Sequence, residues 1–323
     1  MSTTTSFFVP VQDQIHRVER LMRSQAEGHN PDLKAALDHL ISSGGKRIRP
    51  TLTILTGRML GADEDRLVTL AAAIELLHTA TLVHDGLIDG SLLRRGIPTL
   101  NSRWSPGATV LTGDFLFARA AKLAADTESV PAISLFATTL GVIVNGEITQ
   151  LFTSRCRANR DEYYQRIYAK TASLFETCTC CAALISPVSA ETTTLVRQYG
   201  YDIGMAFQII DDVFDFTSDQ SQLGKPVGSD LRQGLITLPT LFFLENHPDD
   251  EDAQEILAGD CLHYDEQVSR LVEKIRTSEA IDLAMAEANR FVDQALEKLQ
   301  QLPECPERQH LEQLTLYITR RNS

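Results

Sequence analysis

A chain of 323 residues, 43% hydrophobic and 23% charged, with 18 Gly, 12 Pro and 6 Cys, has globular composition and the length to bury a sizeable core, which excludes disordered, collagen-like and disulfide-scaffold classes. With 30 Lys and Arg against 43 Asp and Glu the formal charge is −13, so general nucleic-acid binding is excluded and any anionic ligand calls for metal ions or a concentrated basic patch.

In chain order, the Thr-rich residues 1–10 read as a loose tail. Apolar residues at three- and four-residue spacing predict helices over 67–86, 109–126, 132–151, 163–186, 193–216 and 279–302, with turn chemistry at 42–50, 90–106, 186–191, 218–234 and 245–252. No run of alternating β-branched residues predicts a strand. The expectation is one all-α domain over 1–323, a bundle of about ten or more helices around a central cavity, with no linker or internal repeat. The helix through Ala71, Ala72, Ala73, Ile74, Leu76 and Leu77 is apolar nearly all round and belongs at the centre.

No basic n-region precedes an apolar h-region, and no uninterrupted apolar stretch reaches the roughly 18 residues of a membrane span, so a soluble, cytoplasmic protein is expected. Cys156, Cys178, Cys180, Cys181, Cys261 and Cys305 lack the paired spacing of a zinc site and read as small packing residues with no redox role.

Two acid clusters carry the chemistry. Asp85 and Asp89 lie four apart at the end of the central helix, so their side chains return to nearly one direction and can grip one or two hard cations. A single such pair also occurs on ordinary solvated helix faces; the apolar helix before it and Arg94-Arg95 after it favour function. Asp211, Asp212 and Asp215 sit among Ile209, Ile210, Val213, Phe214 and Phe216, where three acids repel one another and resist desolvation unless cations neutralise them. The two sets, 126 residues apart, could clamp a phosphorylated ligand through Mg²⁺. The flexible turn Gly44–Pro50, then Arg94-Arg95, Lys170-Thr171 and Lys225, supply the positive charge such a ligand requires.

These segments resemble the trans-type isoprenyl (polyprenyl) diphosphate synthases. GGKRIRP, HTATLVHDGLIDGSLLRRGIPT, GDFLFARA, KTASLF, FQIIDDVFD and LGKPVGSDLRQGLITLP occur in the family's order over roughly residues 40 to 245. The resemblance implies an all-α isoprenoid synthase fold, usually homodimeric. Its reaction joins isopentenyl diphosphate head to tail to an allylic diphosphate, releasing diphosphate. By that resemblance Asp85, Asp89 and Asp211 hold Mg²⁺, three ions with bound diphosphate, and Asp212 and Asp215 support them directly or through water. Arg94, Lys170, Thr171, Gln208 and Lys225 contact the allylic diphosphate; Lys46, Arg49, His78 and Arg95 hold isopentenyl diphosphate. His78 also fits a histidine at the core edge, and Thr171 and Gln208 fit packing or capping roles.

Two positions depart from the family pattern. Gly86 stands in the second acidic place of the first motif, and Leu235 stands where many relatives carry a lysine. A residue at i+1 points about 100° away from i, so the missing acid is the one least able to share a cation with Asp85 and Asp89. The departures keep alternatives open: a non-catalytic or weakly active partner of a heteromeric synthase, and a class I terpene cyclase. An all-α ligand-binding module leaves the acid clusters unexplained. The intact acids and cations favour catalysis, and GGKRIRP with Arg95 disfavours a cyclase, which binds no second diphosphate.

In this family the residues one turn before Asp85 bound the product. Ala80 and Thr81, with Leu77 deeper, are small or aliphatic, which implies a medium or long chain unless Phe115, Phe117 or the 178–181 stretch closes the tunnel. Transient membrane contact for release of so apolar a product is also expected.

Overall fold

The computed structural model describes residues 7–94, 96–153, 155–217, 226–261 and 264–319. Helices dominate: α1 Gln12–Ser24, α2 Pro31–Ser42, α3 Ile48–Met59, α4 Glu64–Ile88, α5 Pro106–Asp126, α6 Val130–Phe152, α7 Arg160–Ile167, α8 Ser173–Leu184 and α9 Ala190–Thr217. The short α10 Ser229–Arg232 follows, then α11 Leu238–Asn246, α12 Glu251–Leu257, α13 Asp265–Thr277, α14 Ala280–Gln300 and α15 Pro306–Thr319. The all-α expectation holds. A two-residue antiparallel hairpin, Leu93–Arg94 (β1) with Ile97–Pro98 (β2), was not foreshadowed because two residues are too few to show alternation.

Most helix starts lie two to three residues ahead of the apolar pattern, where polar caps define them. Asp63 accepts the Arg66 N–H before α4, with Glu64 and Asp65 in the positive first turn. Ser105 accepts the Ala108 N–H ahead of Pro106 in α5. The continuous helix expected over 163–186 is interrupted: α7 gives way to a π turn at Tyr168–Ala172 before α8 begins. An added residue in a turn leaves the apolar spacing nearly intact, so the sequence pattern reads straight through it.

The chain divides into two compact units. The first comprises Met1–Gly141, Leu174–Gly200 and Leu296–Tyr317; the second comprises Val142–Ser173, Tyr201–Ala295 and Ile318–Ser323. In the first, α4 is buried from Leu67 to Val83 on nearly every side and packs against α1, α3 and α5. Its mixed apolar surface therefore marks a central helix rather than an amphipathic one. In the second, α11 packs on α7, α12 and α13, and α10 packs on α13.

Two expectations are corrected, and one is refined. The tail is anchored from Phe7 onward: Phe7 is buried, its ring 5.3 Å from that of Tyr317, and Val9–Val11 forms a 3₁₀ turn; residues 1–6 lie outside the described residues. Cys156 and Cys261 form a disulfide, whereas Cys178, Cys180 and Cys181 are buried thiols as expected. The disulfide joins loops 105 residues apart, a proximity that sequence spacing does not reveal. Finally, α4 and α6 are both long and apolar enough, by length and composition, to cross a membrane. Scattered Thr, Gly and Asn residues hide this from a search for uninterrupted runs. Protein covers most of α4, whereas α6 is largely exposed.

Candidate active site

In the first unit, the start of α3 and the middle of α4 bring together Arg49 and His78, with Lys46 in the turn just before. Arg47 enters α3 in the left-handed region (φ 46°) and is fastened there by three interactions. Its guanidinium donates to Glu19 (2.8 Å), to Glu75 on α4 (3.0 Å) and to the Ile41 carbonyl (2.8 Å). The conformation costs a non-glycine residue about 1 kcal/mol or more, which these bonds offset. Glu75 is buried, and the Arg47 guanidinium offsets part of the cost of desolvating its side chain. Arg49 Nη1 lies 3.1 Å from His78 Nε2 and its guanidinium stacks 5.0 Å from the Phe175 ring. A guanidinium only donates, so in this contact His78 Nε2 is the acceptor. Lys46 is exposed, its ammonium 5.3 Å from the Tyr317 ring centre.

Asp85 and Asp89 stand at the C-terminal end of α4, Asp85 half-buried and Asp89 exposed. The end is braced by α5: a Cβ on Gly113 would lie 2.2 Å from His84 Nε2, so glycine permits the close approach. His84 Nε2 in turn contacts the Val110 carbonyl at 3.1 Å and the Asp114 carboxylate at 3.5 Å. Gly86 is buried; a Cβ there would point to Asn101 (3.7 Å) and Thr99 (3.9 Å), the side of the helix facing the loop after the hairpin. The missing acid therefore leaves the Asp85–Asp89 pair intact.

In the second unit, the π turn presents Thr171 toward α9 and Lys170 toward α6. Gly146 of α6 lets that turn approach, since a Cβ there would lie 2.6 Å from the Cβ of Ala169. Lys170 is exposed and pairs with Glu147 at 3.2 Å. Thr171 donates to Gln208 Oε1 (2.6 Å), and Gln208 Nε2 donates to Asp212 Oδ1 (2.8 Å). The Tyr163 hydroxyl donates to Asp212 Oδ2 (2.8 Å). Burial, and then the nearby Asp230 carboxylate, push the Asp212 carboxyl up to about 7. Asp215 accepts the N–H groups of Ser229 (3.1 Å) and Asp230 (3.0 Å), capping α10, while its carbonyl accepts from Gly228 (2.8 Å). Asp211 is half-buried on the same helix. The Arg94 side chain, Arg95 and Lys225 lie outside the described residues.

Leu235 is half-buried, with its N–H bonded to the Asp230 carbonyl at 2.9 Å. Of the residues expected to bound the product, Leu77 and Ala80 are fully closed to solvent and Thr81 is half-buried, its hydroxyl turned back to the His78 carbonyl. Phe115 instead lines an open cavity of about 720 Å³ with Leu33, Trp104 and Leu111. Among the described residues no three Asp, Glu, His or Cys side chains form a closed metal cage. The half-exposed carboxylates fit Mg²⁺, which takes one or two protein oxygens and completes its shell from water and phosphate.

The polyprenyl synthetase family model matches residues 30–275. The chain belongs to this family. Heptaprenyl diphosphate synthase component 2 of Geobacillus stearothermophilus is 37% identical over 307 residues, covering 94% of each chain. The family fold is equally plain: the crystal structure of heptaprenyl diphosphate synthase from Staphylococcus aureus superposes with a TM-score of 0.91 at 35% identity, covering 97% of this chain and 99% of that one. A polyprenyl synthase from Caulobacter crescentus, complexed with calcium and isoprenyl diphosphate, gives a TM-score of 0.89 at 35% identity, covering 97% and 96%. As a polyprenyl synthetase, the chain is a prenyltransferase of the trans type, with relatives that make medium and long products. Sequence motifs had located the cations and acids of both units. They had missed Glu75, Glu147 and Tyr163, which touch Arg47, Lys170 and Asp212 from positions that no spacing rule connects to them.

Proposed function

We propose that this polyprenyl synthetase condenses isopentenyl diphosphate with an allylic diphosphate to form a medium- or long-chain all-trans polyprenyl diphosphate. The observation that carries the reading is the presence of two polar clusters, each beside its own acid-bearing helix: Lys46, Arg49 and His78 by α4, and Lys170, Thr171 and Gln208 by α9. A cyclase needs only one diphosphate group and would have no use for the first.

In this reading Lys46, Arg49, His78 and Arg95 fasten isopentenyl diphosphate, and Arg94, Lys170, Thr171, Gln208 and Lys225 fasten the allylic diphosphate. Asp85, Asp89 and Asp211 would hold Mg²⁺, three ions by the family's pattern, with Asp212 and Asp215 supporting from α9. When bound, Mg²⁺ neutralises charge developing on the leaving diphosphate. The chain's cations add to that stabilisation and its apolar walls keep water from the allylic cation until the isopentenyl double bond attacks. The released diphosphate takes the proton whose loss restores a double bond. Leu77, Ala80 and Thr81 bound the growing chain within a single domain over 1–323, and Thr81 is the member with accessible surface.

The chain acts as a homodimer in the cytoplasm, with transient membrane contact for product release. Support for pairing comes from α6, where Val144, Ile148, Leu151 and Phe152 are exposed, Phe152 to 87%. So large an apolar helix face is normally covered by a partner.

The test is incubation of the purified chain with Mg²⁺, labelled isopentenyl diphosphate and farnesyl or geranylgeranyl diphosphate, followed by chain-length separation. Extended products are expected. The second reading, a partner subunit, is favoured by Gly86 and Leu235 and by the component name of the Geobacillus relative. No product across metals and primers, with activity appearing only on adding a second synthase-like chain, would decide for it.

A further inference from the structure

With Asp212 ionised, the hydrogen bonds around it run one way: Gln208 Nε2 donates to Asp212 Oδ1 at 2.8 Å, which leaves the Gln208 carbonyl oxygen facing Thr171. The Thr171 hydroxyl proton is then committed to Gln208, at 2.6 Å. One Nε2–H of Gln208 remains for an incoming acceptor. A diphosphate accepts only, so a Gln208 amide turned the other way would meet it with an oxygen and repel it. What holds the amide the right way round is Asp212, and what holds Asp212 is Tyr163, whose hydroxyl donates to the other carboxylate oxygen at 2.8 Å. Both Asp212 oxygens are thereby engaged in a residue only 4% exposed. The Tyr163 ring is itself fully enclosed, with Arg166 stacked 5.5 Å from its centre, so the hydroxyl has little freedom to leave.

We infer that Tyr163 is a positioning residue for the allylic-diphosphate subsite, acting through Asp212 to set the orientation of the Gln208 amide. The inference rests on the reading of Lys170, Thr171 and Gln208 as that subsite, and it recasts Asp212 as the orienting acid of α9 rather than a metal ligand. Tyr163 touches no substrate; it decides which atom of Gln208 a substrate meets.

The experiment uses the full-length chain and the variants Tyr163→Phe, Asp212→Asn and the double variant. Steady-state kinetics with farnesyl diphosphate and isopentenyl diphosphate are paired with calorimetric binding of inorganic diphosphate in saturating Mg²⁺. Tyr163→Phe is expected to raise the KM for the allylic substrate and the Kd for diphosphate about tenfold, the effect of one charge-assisted hydrogen bond. The KM for isopentenyl diphosphate and the Mg²⁺ concentration for half-maximal activity stay within about twofold. Because both residues act along one relay, the double variant is no worse than Asp212→Asn alone. Equal increases in both KM values, or additive effects in the double variant, would overturn the inference. So would a tenfold rise in Mg²⁺ requirement for Asp212→Asn, which marks a metal ligand. If the native chain condenses nothing, the proposed function falls, yet the diphosphate Kd still judges the relay on its own.

Discussion

The first acid set, Asp85 and Asp89 in one unit, and the second, Asp211, Asp212 and Asp215 in the other, look alike in sequence and differ in structure. The first pair stands at a helix end with one carboxylate half-buried and the other exposed. In the second set Asp212 is held by Tyr163 and Gln208, and Asp215 by the backbone of α10. A count of acids therefore overstates the number that can reach a cation. Gly86 teaches the same lesson from the other side: the acid missing from the first set would have faced Thr99 and Asn101.

Removing one charge from each acid set has the largest expected effect. Asp85→Asn and Asp211→Asn should each lower kcat/KM by roughly 10²- to 10⁴-fold, the several kcal/mol expected where a carboxylate holds a metal on a leaving group. Steady-state assays at graded Mg²⁺ check this; equal, small losses at both positions would show that neither acid holds the metal. Asp215→Ala should act instead on stability, lowering it by about 1–2 kcal/mol through loss of the two backbone N–H acceptors at α10, as read by urea unfolding.

A further acid of the second unit serves as a purely structural reference. Asp252 is buried and bound by Arg270 and Lys274, whose hydrogen bonds hold its carboxyl below the usual carboxylate range. Its folded value is depressed, so its stabilisation is complete above the ordinary carboxylate value of about 4 and is lost as pH falls through the depressed value. Asp252→Asn should cost about 1–2 kcal/mol at neutral pH and flatten the acid limb of a stability–pH curve while sparing the catalytic Mg²⁺ requirement. The smallest effect belongs to Gly86→Ala. The added Cβ meets only ordinary contacts at 3.7 and 3.9 Å, so thermal melting should show a gain of up to about 1 kcal/mol with activity retained.

Much of this was legible in the chain itself. The long apolar helices were visible because a 3.6-residue period survives any tertiary arrangement, and the acids and cations of the motifs were visible because desolvating them among apolar residues has no cheap structural purpose. The π turn at Tyr168–Ala172 escaped because it preserves the apolar spacing on either side, and the Cys156–Cys261 disulfide escaped because its two loops are joined only by folding.

The helical class, the family and the residue types able to handle two diphosphates are all written in the chain, since each depends on local periodicity or on the identity of charged groups. Tertiary structure alone decided which of those groups are available. It committed both oxygens of Asp212 to neighbours, turned the Gln208 amide, set His78 against Arg49, closed Ala80 off in the core and left the apolar face of α6 exposed. Those outcomes follow from donor and acceptor geometry and from burial, which exist only once distant segments are packed together.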